Sequence, residues 1–188
     1  MKNYIKNQND IKKIRDKIIR DKIIPLLLLT LSFIWLMVGC IHTLNKSIKD
    51  GMNAISKQFG CVPIDTSREV AHVIKIIDGD SILVKIDNQL YEVRYIGINT
   101  PEFDSPEESK AQAAALLNKE LVDNRTILLI RDVRNTDKFG RLLRFVFTDD
   151  SFVNYKLVRQ GAAIAKEYPP DISCQILFQR AQRERISQ

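Results

Sequence analysis

Residues 70–98 read VAHVIKIIDGDSILVKIDNQLYEVRYIGI, and the fold turns on this stretch. Val70 to Ile77 and Ser81 to Ile86 are β-branched runs separated by Asp78-Gly79-Asp80, whose glycine and acids suit a tight turn. Asp87-Asn88 turns the chain again into Gln89 to Ile98, where Leu90, Tyr91, Val93, Tyr95, Ile96 and Ile98 predict a third strand. Three strands in a meander follow.

Toward the C-terminus, Ser105-Pro106-Glu107-Glu108 has the pattern of a capping box and predicts a helix running to about Val122. Thr126 to Val133 and Leu142 to Phe147 predict two more strands. Val153 to Gln160 predicts a short helix closed by Gly161, and a last helix is expected from about Asp171 to Arg185. Three strands, a helix, two strands and further helices define an α+β, mainly β, class. The order is compatible with a five-stranded barrel of the oligonucleotide-binding (OB) kind with about three helices. A doubly wound fold would need a helix after nearly every strand, and the chain lacks them.

Toward the N-terminus the character changes. Residues 1–22 carry eight Lys or Arg against three Asp, five of the six net positive charges of the chain. The rest is nearly neutral, so its overall charge does not argue for nucleic-acid binding. Ile23 to Ile41 holds no charge, and at a rise of about 1.5 Å per residue it nearly crosses a hydrocarbon core of about 30 Å. The basic flank should stay in the cytoplasm, which sends the remainder across the membrane. Two readings of the segment stand: an uncleaved anchor, which is preferred, and a signal that is cleaved, or lipidated at Cys40 after Val38-Gly39.

The chain thus divides into a basic flank (1–22), an apolar segment (23–42), a polar spacer (43–69) and one domain (70–188), expected to be monomeric. In the spacer Leu44, Ile48, Met52, Ile55 and Phe59 recur at helical spacing, a stripe that could pack on the domain, on lipid or on a copy of itself, the first being preferred. An oxidising compartment would permit a disulfide between Cys61 and Cys174, which flank the domain, although spacing alone does not bring them together.

Only two histidines occur, His42 and His72, and there is no Cys-x-x-Cys, His-Glu-x-x-His or glycine-rich phosphate loop. Any chemistry falls to carboxylates and arginines at strand ends. A carboxylate base, a hard metal ion and guanidiniums are what phosphodiester hydrolysis needs.

Four motifs carry a resemblance: Ile77-Asp78-Gly79-Asp80-Ser81, Val93-Arg94-Tyr95-Ile96-Gly97-Ile98-Asn99-Thr100-Pro101-Glu102, Thr136-Asp137-Lys138-Phe139-Gly140-Arg141 and Val153-Asn154-Tyr155-Lys156-Leu157-Val158-Arg159-Gln160-Gly161. In this order and spacing they resemble the staphylococcal nuclease (thermonuclease) family. The resemblance implies an OB barrel and calcium-dependent cleavage of DNA and RNA that leaves 3′-phosphate ends. Position by position, it implies that Asp80 and the Thr100 carbonyl bind calcium, that Glu102 is the general base, and that Arg94 and Arg141 grip the phosphate. Lys138, Phe139 and Tyr168 would contact the nucleotide, with Phe139 standing where the family often has Tyr. At Asn99 the family usually has Asp, so an amide oxygen replaces a carboxylate as calcium ligand and the site loses one negative charge. A catalytically weakened module that binds single-stranded nucleic acid or a protein partner is the alternative reading.

Overall fold

The structure, a computed structural model, describes residues 12, 13, 15–17 and 19–186, so most of the basic flank lies outside the described residues. The chain forms two compact units, Met1–Ser47 and Ile48–Gln188. In the first, a π-helical turn at Ile19–Ile23 leads into the helix α1 (Ile24–Gln58), which continues into the second unit. This helix is long and apolar enough to cross a membrane, and its apolar side chains, Trp35 and Leu29 among them, are exposed.

In the second unit β1 (Arg68–Ile76), β2 (Ser81–Ile86) and β3 (Gln89–Tyr95) form the expected antiparallel meander. Asp87 and Asn88 both have positive φ, the conformation that a two-residue hairpin turn demands. Next come β4 (Ile98–Asn99), α2 (Glu108–Val122), β5 (Thr126–Ile130), β6 (Leu142–Phe147), α3 (Val153–Arg159), β7 (Ile164–Ala165) and α4 (Gln175–Ile186). Strands β1, β2, β3, β6 and β5 close into a barrel in that order, with β3 and β6 parallel and β5 returning to β1. Closure leaves no sheet edge to cover. All six residues of β6 are buried because α3 packs outside the barrel wall while the core lies inside.

Several expected boundaries shift. The third strand stops at Tyr95 instead of Ile98. Gly97 adopts φ +75°, where a Cβ would also press on the Phe178 ring, and Ile98–Asn99 then leaves the barrel to pair with Ile164–Ala165. The capping box does not form. Ser105 Oγ accepts the Glu107 N–H but donates to the Glu102 carbonyl, Glu108 turns to Gln112, and the helix starts at Glu108. The fourth barrel strand ends at Ile130, not Val133, and the last helix begins at Gln175, not Asp171. Beyond the strand the Asp171 carboxylate captures the amides of Val133 and Arg134 at 3.0 and 2.8 Å, and ahead of the helix the Asp132 carboxylate takes the Ser173 amide and hydroxyl.

The stretch expected as a spacer is helical to Gln58, and its apolar stripe packs on the domain from Ile48 onward. Met52 is fully buried, and Ile48, Ile55 and Phe59 lie against the same core, whereas Leu44 is exposed. Phe59 meets Phe152 edge-on at 5.0 Å, and Phe152 stacks on Phe147 at 4.3 Å. Cys61 and Cys174 are joined in a disulfide, tying the chain that leaves α1 to the start of α4.

Candidate active site

The turn between β1 and β2 brings Asp80 to the end of the barrel. Its middle residue must be Gly79: a Cβ there would lie 2.7 Å from both Ala114 of α2 and Thr100, so no side chain fits. Two buried groups hold the turn. Asn118 on α2 donates to the Asp78 carbonyl at 2.9 Å and accepts from the Tyr95 hydroxyl at 2.9 Å. Asp78 in turn accepts the Asp80 amide.

Asp80 is almost wholly buried. Its Oδ2 accepts from Arg94 Nη1 at 2.7 Å and from the Thr100 amide at 2.8 Å, while Oδ1 has only a long contact with Ser81 Oγ at 3.3 Å. Burial pushes this carboxyl up to about 6. The Arg94 charge and the Thr100 amide oppose the rise, and the Asp78 charge adds to it.

Arg94, at the end of β3, also donates from Nη2 to Asn99 Oδ1 at 2.8 Å. The same oxygen accepts the Tyr168 hydroxyl at 3.2 Å, and Asn99 Nδ2 donates to the Thr100 carbonyl at 3.1 Å. Asn99 thus joins Arg94, Tyr168 and Thr100.

The second arginine comes from the loop between β5 and β6. Asp137 Oδ1 accepts the amides of Phe139 and Arg141, and its Oδ2 takes Arg141 Nε at 2.8 Å. Burial would raise the Asp137 carboxyl, but these hydrogen bonds outweigh it and hold it below its ordinary value. Lys138 and Arg141 both lie over the exposed Phe139 ring, at 4.9 and 5.5 Å. Glu102 is exposed, with no hydrogen bond or ion pair to its carboxylate among the described residues.

One cavity of about 420 Å³ is lined by Asp80, Arg94, Asn99, Glu102, Lys138, Phe139, Arg141 and Tyr168, all of them singled out in the sequence. Thr100 does not line it but underlies it through Asp80. Cys61, Cys174 and both histidines lie elsewhere. The cavity also contains Arg134 and Asp171, which the sequence did not single out as site residues.

Sequence reasoning also missed the framework. Arg144, fully buried on β6, has all five N–H donors engaged: by the Glu69 carboxylate, by the side-chain and main-chain oxygens of Asn135, and by the Leu143 carbonyl. An arginine within an otherwise apolar strand was the signal available. Asn154, inside a quoted motif, bonds the Val146 amide and the Ile96 carbonyl and so docks α3 on the turn after β3.

The fold and the site define a class: a small closed barrel with carboxylates and arginines gathered around one cavity. Within that class, the profile of the staphylococcal nuclease homologue family matches residues 92–187. The chain is 37% identical over 123 residues to the thermonuclease of Staphylococcus intermedius, covering 64% of this chain and 73% of that protein. It is 31% identical over 123 residues, with the same coverage, to the thermonuclease of Staphylococcus hyicus. With the SPbeta prophage-derived endonuclease YokF of Bacillus subtilis (strain 168) it shares 33% identity over 119 residues, covering 61% of this chain and 40% of the relative. The chain belongs to the staphylococcal nuclease family.

Proposed function

We propose that the protein is a calcium-dependent nuclease that hydrolyses phosphodiester bonds of DNA and RNA and leaves 3′-phosphate ends. The observation that carries this reading is the convergence of Asp80, Arg94, Glu102 and Arg141, drawn from three separate motifs, on one cavity. The nuclease relatives support the reaction class.

In this mechanism Glu102, whose carboxylate has no partner among the described residues, orients a water and takes its proton as the water oxygen attacks phosphorus. The P–O5′ bond breaks, and the departing oxygen is protonated from solvent. Arg94 and Arg141 hold the non-bridging oxygens with guanidiniums oriented in advance by Asp80 and Asp137. Lys138, Phe139 and Tyr168 flank the nucleotide.

Calcium would be held by Asp80, the Thr100 carbonyl and the Asn99 amide oxygen, and when bound it supplies charge neutralisation at the phosphoryl oxygens. The donors fit a hard cation in kind, since all are oxygens and Asp80 Oδ1 is met only by a long contact from Ser81 Oγ at 3.3 Å. The cavity lining has five carboxylates against four cationic side chains, so a divalent cation is also what would make it attractive to a polyanion. Asn99, engaged by Arg94 and Tyr168, makes the ligand set one carboxylate poorer.

That same engagement favours a second reading, a weakened module that binds single-stranded nucleic acid without cutting it. Incubation of the full chain with single-stranded DNA in calcium or in chelator separates the two. Cleavage in calcium alone supports the enzyme, and binding with no cleavage in either supports the module.

The apolar α1 is read as an anchor with the domain on the extracytoplasmic side, or as a signal segment that is cleaved or lipidated at Cys40. The Cys61–Cys174 disulfide suits an oxidising compartment. Digestion of the domain by protease added to intact cells supports that topology, and protection until lysis overturns it.

A further inference from the structure

Arg134 and Arg141 stand at the two ends of one segment, Arg134-Asn135-Thr136-Asp137-Lys138-Phe139-Gly140-Arg141, and they are mounted in the same way. Asp137 accepts the main-chain amide of Arg141 on Oδ1 at 3.1 Å and its Nε on Oδ2 at 2.8 Å. Asp171 accepts the main-chain amide of Arg134 on Oδ1 at 2.8 Å and its Nε on Oδ2 at 2.6 Å. A carboxylate that takes both groups fixes the guanidinium plane from behind and leaves its outer edge for a ligand. Asp171 is only 1% exposed, so the second mount is the more deeply seated.

Both guanidiniums reach the same cavity. Arg134 Nη2 donates to the Tyr168 carbonyl at 3.1 Å, Nη1 has no hydrogen-bond partner among the described residues, and the side chain is 43% exposed. A residue serving only to neutralise Asp171 would not need a charged edge turned to the cavity, and Asp171 already has the Val133 amide as a further donor. Tyr168, whose hydroxyl reaches Asn99 beside Arg94, bridges the two ends of the cavity and offers a ring to the base between them.

We propose that Arg134 binds a second phosphate of a single-stranded nucleic-acid substrate, one not being cut, while Arg94 and Arg141 hold the scissile one. The subsite deepens the nuclease reading and rests on it for the choice of ligand. Its test is nevertheless a binding measurement that needs no turnover.

Fluorescence anisotropy of the full chain with labelled pentathymidylate, and with the dinucleotide that has a single phosphodiester, is recorded in chelator for the wild type and Arg134→Gln. A charge-assisted contact at a half-exposed site corresponds to about tenfold in affinity. The variant should therefore bind the pentamer about tenfold more weakly and the dinucleotide within about twofold of wild type. The slope of log affinity against log salt for the pentamer should fall by about 0.7, as for one lost phosphate contact on a single strand. Equal losses on both ligands, or an unchanged salt slope, overturn the subsite.

Should Arg134→Gln fail to fold, wild-type protein is titrated with pentamers in which one phosphate at a time is a neutral methylphosphonate. Two sensitive positions, the scissile phosphate and one other, support the proposal. A single sensitive position, or a uniform response, overturns it. Cleavage by the wild type together with a failed subsite leaves the enzyme standing, whereas absence of cleavage in calcium removes the nuclease reading on its own.

Discussion

Arg94 and Asn99 are bonded through Nη2 and Oδ1 at 2.8 Å, so the residue proposed as an amide ligand for calcium also holds the guanidinium proposed to clamp the phosphate. An aspartate at position 99 would bond Arg94 at least as strongly and would add a charge beside Asp80. Asn99→Asp should therefore bind calcium more tightly, on the order of tenfold, by isothermal calorimetry. Equal affinities in the two forms would remove position 99 from the ligand set.

Glu102 is exposed and its carboxylate has no partner among the described residues, so its removal should cost chemistry and not stability. Glu102→Gln should lower kcat on single-stranded DNA by about a thousandfold while the thermal midpoint stays unchanged. A rate within a few-fold of wild type refutes its role as the base.

Asp137 sits behind Arg141, and its carboxyl is held below the ordinary value by hydrogen bonds from Arg141 and Phe139. A depressed carboxyl contributes stability that is complete above its unfolded value of about 3.9 and is lost as pH falls through the folded value. Wild type should thus be more stable than Asp137→Asn at pH 7, and the gap should close as pH is lowered below about 4. Urea titrations across that range check the sign. A gap that persists at low pH means that Asp137 acts through packing alone.

Met52, on the apolar stripe of the spacer, is fully buried in the domain core. Met52→Ala should cost about 2 to 5 kcal/mol in chemical denaturation, whereas Leu44→Ala, on the same stripe but exposed, should leave the domain unfolding transition in place. Equal effects would show that the helix does not contribute to the core as described.

The barrel strands were legible because each carries its own signal. β-Branched runs, a two-residue turn at Asp87-Asn88 and apolar pairs at strand spacing act over a few residues, which is the range of backbone sterics. Asp80, Arg94, Glu102 and Arg141 were legible through the order of their motifs. Asp171 was not: a lone acid before a helix looks like a cap, and only the return of residues 131–134 to its side makes it the seat of Arg134. Arg144 was hidden likewise, since its partner Glu69 lies at the far end of the domain sequence.

By itself, then, the sequence determined the five barrel strands, most of the helices and where the apolar segment lies, and the order of its motifs gave the carboxylates and arginines expected at one site. Those properties follow from local propensity, hydropathy and residue chemistry. Only the tertiary structure decided that Ile98–Asn99 leaves the barrel for Ile164–Ala165, that Asp171 seats Arg134, and that Asn99 meets Arg94. Such contacts join groups distant in sequence or set by a turn such as that at Gly97. Their energies depend on burial and on hydrogen-bond geometry that exist only once the chain has closed on itself.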